Sequence, residues 1–362
     1  MSALFTPFKI KDITLRNRIG VSPMCQYSAT DGRVDDWHMV HLGSRAVGGA
    51  GLVMSEATAV CENGRITPGC LGLWNDEQVE AVIPLNRFLD KHGAVSGVQI
   101  GHSGRKGSAA APWDGGAHLR DDEGGWPTVG PSDEVFDDDG LRLWKAPHQM
   151  TVAEIVEMQG LFVEAAKRAL AAGYKLLEVH GAHGYLLHSF FTPLVNKRSD
   201  AYGGDLRNRA RMLLETVEAV RAVWPENLPL SVRLSIVDWI EGGLTIDDNI
   251  QMAKWLKERG VDIVDCSGGG ATPVSRASMG SRTADQVALA GQLRAQAVIA
   301  TMAVGGIVEA KQAEAIIVDG KGDIVLLARQ MLRDPYWPMH AAQELGVDAK
   351  VHIPVQTGFF VG

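Results

Sequence analysis

A chain of 362 residues, 46% hydrophobic and 22% charged, has the composition of a folded globular protein with a large core, which excludes a disordered chain. Its 43 acidic side chains against 35 basic ones give a net charge of −8 with no Lys/Arg-rich run, so neither nucleic acid nor an anionic membrane is an expected partner. The four cysteines, Cys25, Cys61, Cys70 and Cys266, lack C-x-x-C spacing, which argues against structural zinc or an iron–sulfur cluster and leaves reduced thiols as the default.

Residues 1–20 alternate apolar with charged side chains instead of forming the continuous apolar run of a signal peptide. No later segment approaches the ~20 apolar residues of a membrane span, so a cytoplasmic protein is expected. Residues 17–22 (NRIGVS) read as a first strand that ends in Pro23-Met24-Cys25-Gln26-Tyr27. Residues 51–55 (GLVMS) follow a helix expected over 38–47, and residues 95–100 (VSGVQI) follow an amphipathic helix over 76–91. Between 103 and 150 the pattern breaks into Gly, Asp and Pro with scattered Trp113, Trp126 and Trp144. A structureless loop of that length is unusual in a compact domain, so an excursion with its own hairpin, lidding the mouth of the fold, is expected. Its acidic turns at 121–125 and 137–140 read as solvated.

Five more strands are expected at 175–179, 228–234, 261–266, 297–301 and 323–328, separated by helical patterns that include 151–172, 206–223, 246–259 and 308–318. The helix over 151–172 is the best defined: Thr151 and Glu154 have capping-box spacing, Ile155, Met158, Phe162, Ala166 and Ala169 share a face, and Gly173 stands at the stop. Eight strand–helix units imply an α/β fold, a single (β/α)₈ TIM barrel over residues 1–362 with 103–150 as a capping excursion.

In such a barrel the residues that follow each strand converge on one face. That rule selects Pro23, Cys25 and Tyr27, then Ala57, Gln99, the run His180, His183 and Tyr185, then Arg233, residues 267–270, residues 304–307 and Arg329. Two imidazoles and a phenol within six residues mark the fourth strand end as the centre of the chemistry. The loops Ala303-Val304-Gly305-Gly306 and Ala328-Arg329 suit a phosphate, through backbone N–H groups at a helix start and a cation. Gln99 and Arg233 suit the polar edge of a flat heterocycle, or else are buried polar groups paired to backbone or carboxylate.

The runs PMCQYSA (23–29), QIGHSGRK (99–106), HGAHGYLLHSFFTPLVNKRSDAYGG (180–204), RNRARMLLETVEAVR (207–221) and DWIEGG (238–243) resemble the Old Yellow Enzyme family. The likeness is greatest to its bacterial, thermophilic-like subgroup, in which a cysteine follows the first strand. It implies an FMN-dependent ene-reductase that passes hydride from NADPH or NADH to an activated alkene, such as an enone, enal, maleimide or nitroalkene, and assembles as a dimer or tetramer. By resemblance Pro23, Met24, Ala57, Gln99 and Arg233 contact the isoalloxazine and Cys25 tunes its potential. Arg329, with Ala328, Gly305 and Gly306 beside it, holds the phosphate. His180 and His183 bind the substrate oxygen, Tyr185 donates the proton and Tyr27 contacts substrate.

Those roles agree with the chemistry of the side chains. Two imidazole N–H donors suit negative charge developing on a carbonyl oxygen, a phenol is protonated at neutral pH, and a guanidinium suits an anionic reduced flavin. Met302, Gly306 and Ala328 depart from the residues usual in relatives, and the tail 354–362 has no arginine to offer a neighbouring subunit. A larger iron–sulfur dienoyl-CoA reductase is excluded by length and cysteine spacing. A metal-dependent hydrolase on His180 and His183 lacks a nearby Glu base, and a non-catalytic flavin sensor using Cys25 leaves the His/His/Tyr group without a purpose.

Overall fold

The structure is a computed structural model that describes residues 2–137, 143–278 and 282–359. A hairpin comes first, β1 (Phe8–Ile10) against β2 (Ile13–Leu15). The strands β3 (Ile19–Val21), β4 (Leu52–Ala59), β5 (Val95–Gly101), β8 (Leu176–Gly181), β9 (Leu230–Ser235), β10 (Ile263–Ser267), β11 (Ala300–Val304) and β12 (Ile324–Leu327) then pair in parallel, each with the next. β12 returns to β3 and closes the barrel. The short strands β6 (Val129–Gly130) and β7 (His148–Gln149) lie in the excursion between β5 and β8.

The helices are α1 (Asp36–Val47), α2 (Asp76–Lys91), α3 (Val152–Ala171), α4 (Leu186–Phe191), α5 (Leu206–Arg221), α6 (Ile246–Lys257), α7 (Pro273–Ser278), α8 (Thr283–Ala297), α9 (Ala310–Val318), α10 (Arg329–Arg333), α11 (Trp337–Glu344) and α12 (Val355–Gly358). Their starts follow from side chains that replace missing intrahelical partners. Thr151 accepts from the Glu154 N–H at 3.2 Å while the Glu154 carboxylate accepts from the Thr151 N–H at 2.7 Å, and Asn75 with Gln78 and Thr245 with Asp248 repeat the device. The apolar faces of the larger helices pack on the outside of the strands in one continuous core, in which Phe162, Phe190 and Phe191 are fully buried.

A second, smaller cluster fills the barrel itself: Leu52, Met54, Leu176, Ile263, Met302, Ile324 and Leu326 point inward, and Ile10 and Leu15 of the hairpin close it from below. Space for these side chains comes from glycines on facing strands. A Cβ at Gly20 would lie 2.5 Å from Leu326 and one at Gly97 2.2 Å from the Met54 sulfur. The alternation in residues 1–20 is therefore a hairpin that plugs the floor, a role the sequence reading did not assign.

Two expectations are corrected. The seventh strand begins at Ala300, not 297, because Ala297 is the last residue of α8 and Val298 turns the chain in the left-handed region; the apolar run simply continues across both elements. In the excursion β6 and β7 pair in parallel over two residues each, and the antiparallel contact among the described residues is a lone Ala109–His118 bridge, so the expected hairpin is absent there. Its Gly- and Pro-rich chain forms single 3₁₀ turns at Gly104–Lys106, Pro112–Asp114 and Asp121–Glu123 instead. The acidic turn at 121–125 is exposed as expected, whereas most of that at 137–140 lies outside the described residues, as do Phe360, Val361 and Gly362. Cys61 and Cys70 are free thiols. No helix among the described residues is long and apolar enough to cross a membrane.

Because Leu15 is wholly buried against the barrel floor, Leu15→Ala is expected to lower the unfolding free energy by ~2–5 kcal/mol. Urea denaturation followed by circular dichroism measures this, and a loss under ~1 kcal/mol would show that the hairpin does not brace the barrel.

Candidate active site

Side chains alternate along a strand, so the inward residues of the barrel stack in layers. Above the apolar floor come Gln99 of β5, Glu178 of β8, Ser231 and Arg233 of β9 and Asp265 of β10, all buried. Gln99 Nε2 donates to Glu178 at 2.9 Å, Ser231 Oγ donates to its other carboxylate oxygen at 2.8 Å, and Arg233 Nε lies 3.1 Å from Asp265. Burial pushes both carboxyl groups up, and the Arg233 guanidinium opposes it. Two residues further along the same inward register stand His180, Ser235 and Ser267.

β8 runs through His180 to Gly181, so His180 belongs to the strand end and His183 and Tyr185 to the turn that follows. The turn is tight enough that His183 adopts φ 61°, a left-handed conformation costing a β-carbon residue about 1–2 kcal/mol. Neighbouring groups over-determine it. The His183 N–H donates to Ser235 Oγ at 2.9 Å, Lys106 Nζ donates to the His183 carbonyl at 2.7 Å and the Gly270 carbonyl at 3.2 Å, and the Gly184 N–H donates to His188 Nδ1 at 2.8 Å. Gly184 is needed where it is, because a Cβ there would lie 2.3 Å from the Gly270 carbonyl oxygen.

The rings of His180 and His183 meet edge-on with centroids 5.3 Å apart, and the Tyr185 ring stands edge-on to His180 at 5.1 Å. The Lys106 ammonium lies 4.9 Å from the Tyr185 ring centroid. Burial pushes both imidazoles well below their ordinary pKa range and Arg233 adds to it, so both are neutral at physiological pH. A neutral imidazole has one N–H, and the pair can give two hydrogen bonds to an oxygen that becomes negative.

Two cavities meet at this point. One of about 330 Å³ is bounded by Tyr27, His183 and Tyr185, by Ile66, and by Lys106, Ala109, Ala110 and Trp144 of the excursion. The other, about 710 Å³, runs from His183, Arg233 and Ser267 to Gly305, Gly306, Ala328, Arg329 and Arg333. His183 is on the wall of both. The larger cavity fits FMN: its volume is within the ~300–1,000 Å³ typical of cofactor sites, and two arginines stand at the end where a phosphate would lie. At the other end Arg233 lines the wall, a cation placed where the polar edge of a heterocycle would lie. Gly306 has φ 60°, and a Cβ there would lie 2.5 Å from Thr283 Oγ1. The helix after this loop starts only at Ala310, so the glycine pair sits in a loop and not at the helix start that was expected.

The other predicted residues are placed less directly. Tyr27 lines the smaller cavity with its ring 5.7 Å from Trp113, and burial pushes its phenol up. Ala57 lies inside β4, past a bulge at Glu56, and its N–H is directed at the half-buried Cys25 thiol, which burial pushes well above its ordinary range. The Gln26 N–H donates to Glu56 at 3.0 Å and ties the segment carrying Cys25 and Tyr27 to that bulge. Pro23, Met24, Cys25, Ala57, Gln99 and His180 contribute to neither large cavity wall; Ala57 and His180 line a small cavity of about 10 Å³ with Tyr185 instead. Sequence reasoning gave no role to Lys106, Glu178, Asp265, Thr283 or Arg333; only the run QIGHSGRK, which ends at Lys106, offered a signal.

Residues 3–348 match the model of the NADH:flavin oxidoreductase / NADH oxidase family. An NADPH dehydrogenase of Bacillus cytotoxicus is 43% identical over 349 residues, 96% of this chain and 94% of the relative. Among solved structures, 2-naphthoyl-CoA reductase with 2-naphthoyl-CoA superposes with a TM-score of 0.84 at 28% identity over 97% of this chain, which spans 53% of that longer protein. An old yellow enzyme homologue from Zymomonas mobilis, at 24% identity, shares the fold with a TM-score of 0.78 over 94% of this chain and 93% of its own. The protein thus belongs to the NADH:flavin oxidoreductase / NADH oxidase family, that of the old yellow enzymes, and is an FMN-dependent oxidoreductase that takes its electrons from a reduced nicotinamide.

Proposed function

We propose that the protein is an ene-reductase, which reduces the C=C bond of alkenes conjugated to a carbonyl or nitro group at the expense of NADPH. The reading is carried by one observation: the rings of His180, His183 and Tyr185 cluster beside the junction of the two cavities, with His183 on both walls, Tyr185 on the smaller one and His180 packed edge-on against both. The NADPH dehydrogenase name of the Bacillus cytotoxicus relative supports the choice of reductant.

Arg329 is assigned to the FMN phosphate, Arg233 to the pyrimidine edge of its ring, and Gln99 beside it to the same edge through the buried layer. Bound there, FMN would supply the hydride that the β-carbon of the alkene receives. The residues of this chain manage the charge and the proton. His180 and His183 donate N–H groups to the substrate oxygen and so stabilise the negative charge that appears on it. Both are neutral, so neither is consumed as an acid. Tyr185 protonates the α-carbon, and the Lys106 ammonium over its ring favours the phenolate left behind. Tyr27 and the excursion residues Ala109, Ala110 and Trp144 surround the rest of the substrate and exclude water. Cys25, near Ala57 and under the influence of Arg233, is assigned to tuning the flavin potential.

Three outcomes are expected. Arg329→Ala removes a charge-assisted contact to a dianion and should raise the FMN dissociation constant at least tenfold by fluorescence titration, ~1.4 kcal/mol or more; unchanged retention would move the phosphate site elsewhere. Since the imidazoles have depressed pKa values, lowering the pH from about 8 to 6 leaves them neutral, and reoxidation of the reduced enzyme by cyclohexenone should stay level over that window. A change with a midpoint near ~6.5 would mean that one of them titrates there as a free histidine does.

The deciding experiment is Tyr185→Phe. Cyclohexenone turnover should fall by a factor of about 10². A nitroalkene should suffer much less, because its nitronate is stable enough to leave and take a proton from water. Equal slowing of both, or of neither, would remove Tyr185 as the acid.

A further inference from the structure

The two imidazoles are held differently. The Ala182 N–H donates to His180 Nδ1 at 3.3 Å, so the single proton of neutral His180 is on Nε2. His183 has the opposite nitrogen engaged: its Nε2 lies 2.6 Å from Ser267 Oγ. Either group could donate in that contact, and the surroundings decide between them. Ser267 is 4% exposed, and its hydroxyl has no other acceptor among the described residues. Were His183 to donate, the serine proton would be left at the cavity wall with no protein acceptor to turn to, which is the costly arrangement. With Ser267 donating, the serine proton and the Nε2 lone pair satisfy each other, and the His183 proton is on Nδ1.

We infer that Ser267 is a positioning residue that fixes the His183 tautomer, so that the pair offers an Nε2–H from His180 and an Nδ1–H from His183 to the substrate oxygen. The inference rests on the reading of these imidazoles as an oxygen clamp. Neither donor atom has a protein partner among the described residues, and neither is among the buried polar atoms sealed without one. The register explains why a serine can do this. Ser267 ends β10 directly beside Ser235 at the end of β9, and both are inward-facing. Ser235 accepts from the backbone N–H of His183 and donates its own hydroxyl to the Gly269 carbonyl at 2.8 Å, while Ser267 engages the ring. Two adjacent hydroxyls thus hold the main chain and the imidazole of one residue whose backbone is in a costly conformation.

The test uses FMN-loaded protein with ¹⁵N-labelled histidine and long-range ¹H–¹⁵N correlation spectra, with the His183 ring assigned by its disappearance in His183→Asn. The parent should show Nδ1 protonated and Nε2 bare. In Ser267→Ala the proton should redistribute toward Nε2, and affinity for the probe p-hydroxybenzaldehyde, read from the flavin absorbance change, should fall about tenfold for one lost donor. Ser267→Thr, which retains the hydroxyl, should restore both. A parent spectrum with Nε2 protonated, or a Ser267→Ala protein with unchanged tautomer and unchanged affinity, would overturn the proposal. If the phenol fails to bind the parent at all, the clamp reading is lost, while the parent and Ser267→Ala spectra still decide whether the serine sets the tautomer.

Discussion

The charge on Arg233 is what the centre of the molecule is arranged around. An isolated guanidinium in a closed barrel would carry a desolvation penalty of several kcal/mol, and the layer answers it with Asp265 at 3.1 Å, the nearby Glu178 and the Ser22 hydroxyl across the barrel at 3.3 Å. The answer is more than neutralising: one cation faces two carboxyl groups, both pushed toward the protonated form by burial. The same positive charge reaches upward, where it adds to burial in keeping His180 and His183 uncharged, and sideways, where it forms part of the cofactor cavity wall. The floor, the charged layer and the site are therefore one stack, and the side-chain alternation of eight strands sets its order.

Much of this stack was legible in the sequence because its rules are local. Capping boxes at Thr151 and the amphipathic run of α2 fixed helices to within a residue or two, and the strand-end rule selected His180, His183, Tyr185, Arg233 and Arg329 together. Less legible was anything decided across the barrel. A Gly-to-Thr283 contact, the Gln99–Glu178 bond and the Arg233–Asp265 pair join positions separated by tens of residues, and no spacing encodes them. Ser267 was selected as a strand-end residue, yet its partner was not, since the contact spans 84 positions. The seventh strand was misplaced for a different reason: AVIATMAV is apolar but for one threonine, and apolarity alone does not say where a helix stops and a strand begins.

The excursion of residues 103–150 shows how an irregular segment can be held by side chains in place of sheet pairing. Arg105 donates to the carbonyls of Glu134, Val135 and Ala271, and Lys106 to those of His183 and Gly270. Two consecutive cations thus tie one stretch of the excursion, the turn after β8 and the loop after β10 to a common point. Small side chains at Ala109 and Ala110 leave room behind that anchor, and the cavity wall there is set by what the backbone allows, not by bulky packing.

Barrel closure has a bearing on how the chain reaches this state. The first and last strands of the ring, β3 and β12, are neighbours, and Arg18 donates to the Asp323 carbonyl across a separation of 305 residues. No fold of the earlier strands can supply that partner, so β3 and the growing end of the sheet present open hydrogen-bonding edges through most of synthesis. Such edges are sites of misassociation, and contacts this distant in sequence slow the final ordering. The hairpin of Phe8–Leu15 packs its apolar residues on the floor of the closed ring. The ring that aligns the active-site layers thus cannot close until β12 has been synthesised, 305 residues of separation being spanned by the Arg18–Asp323 contact beside the seam.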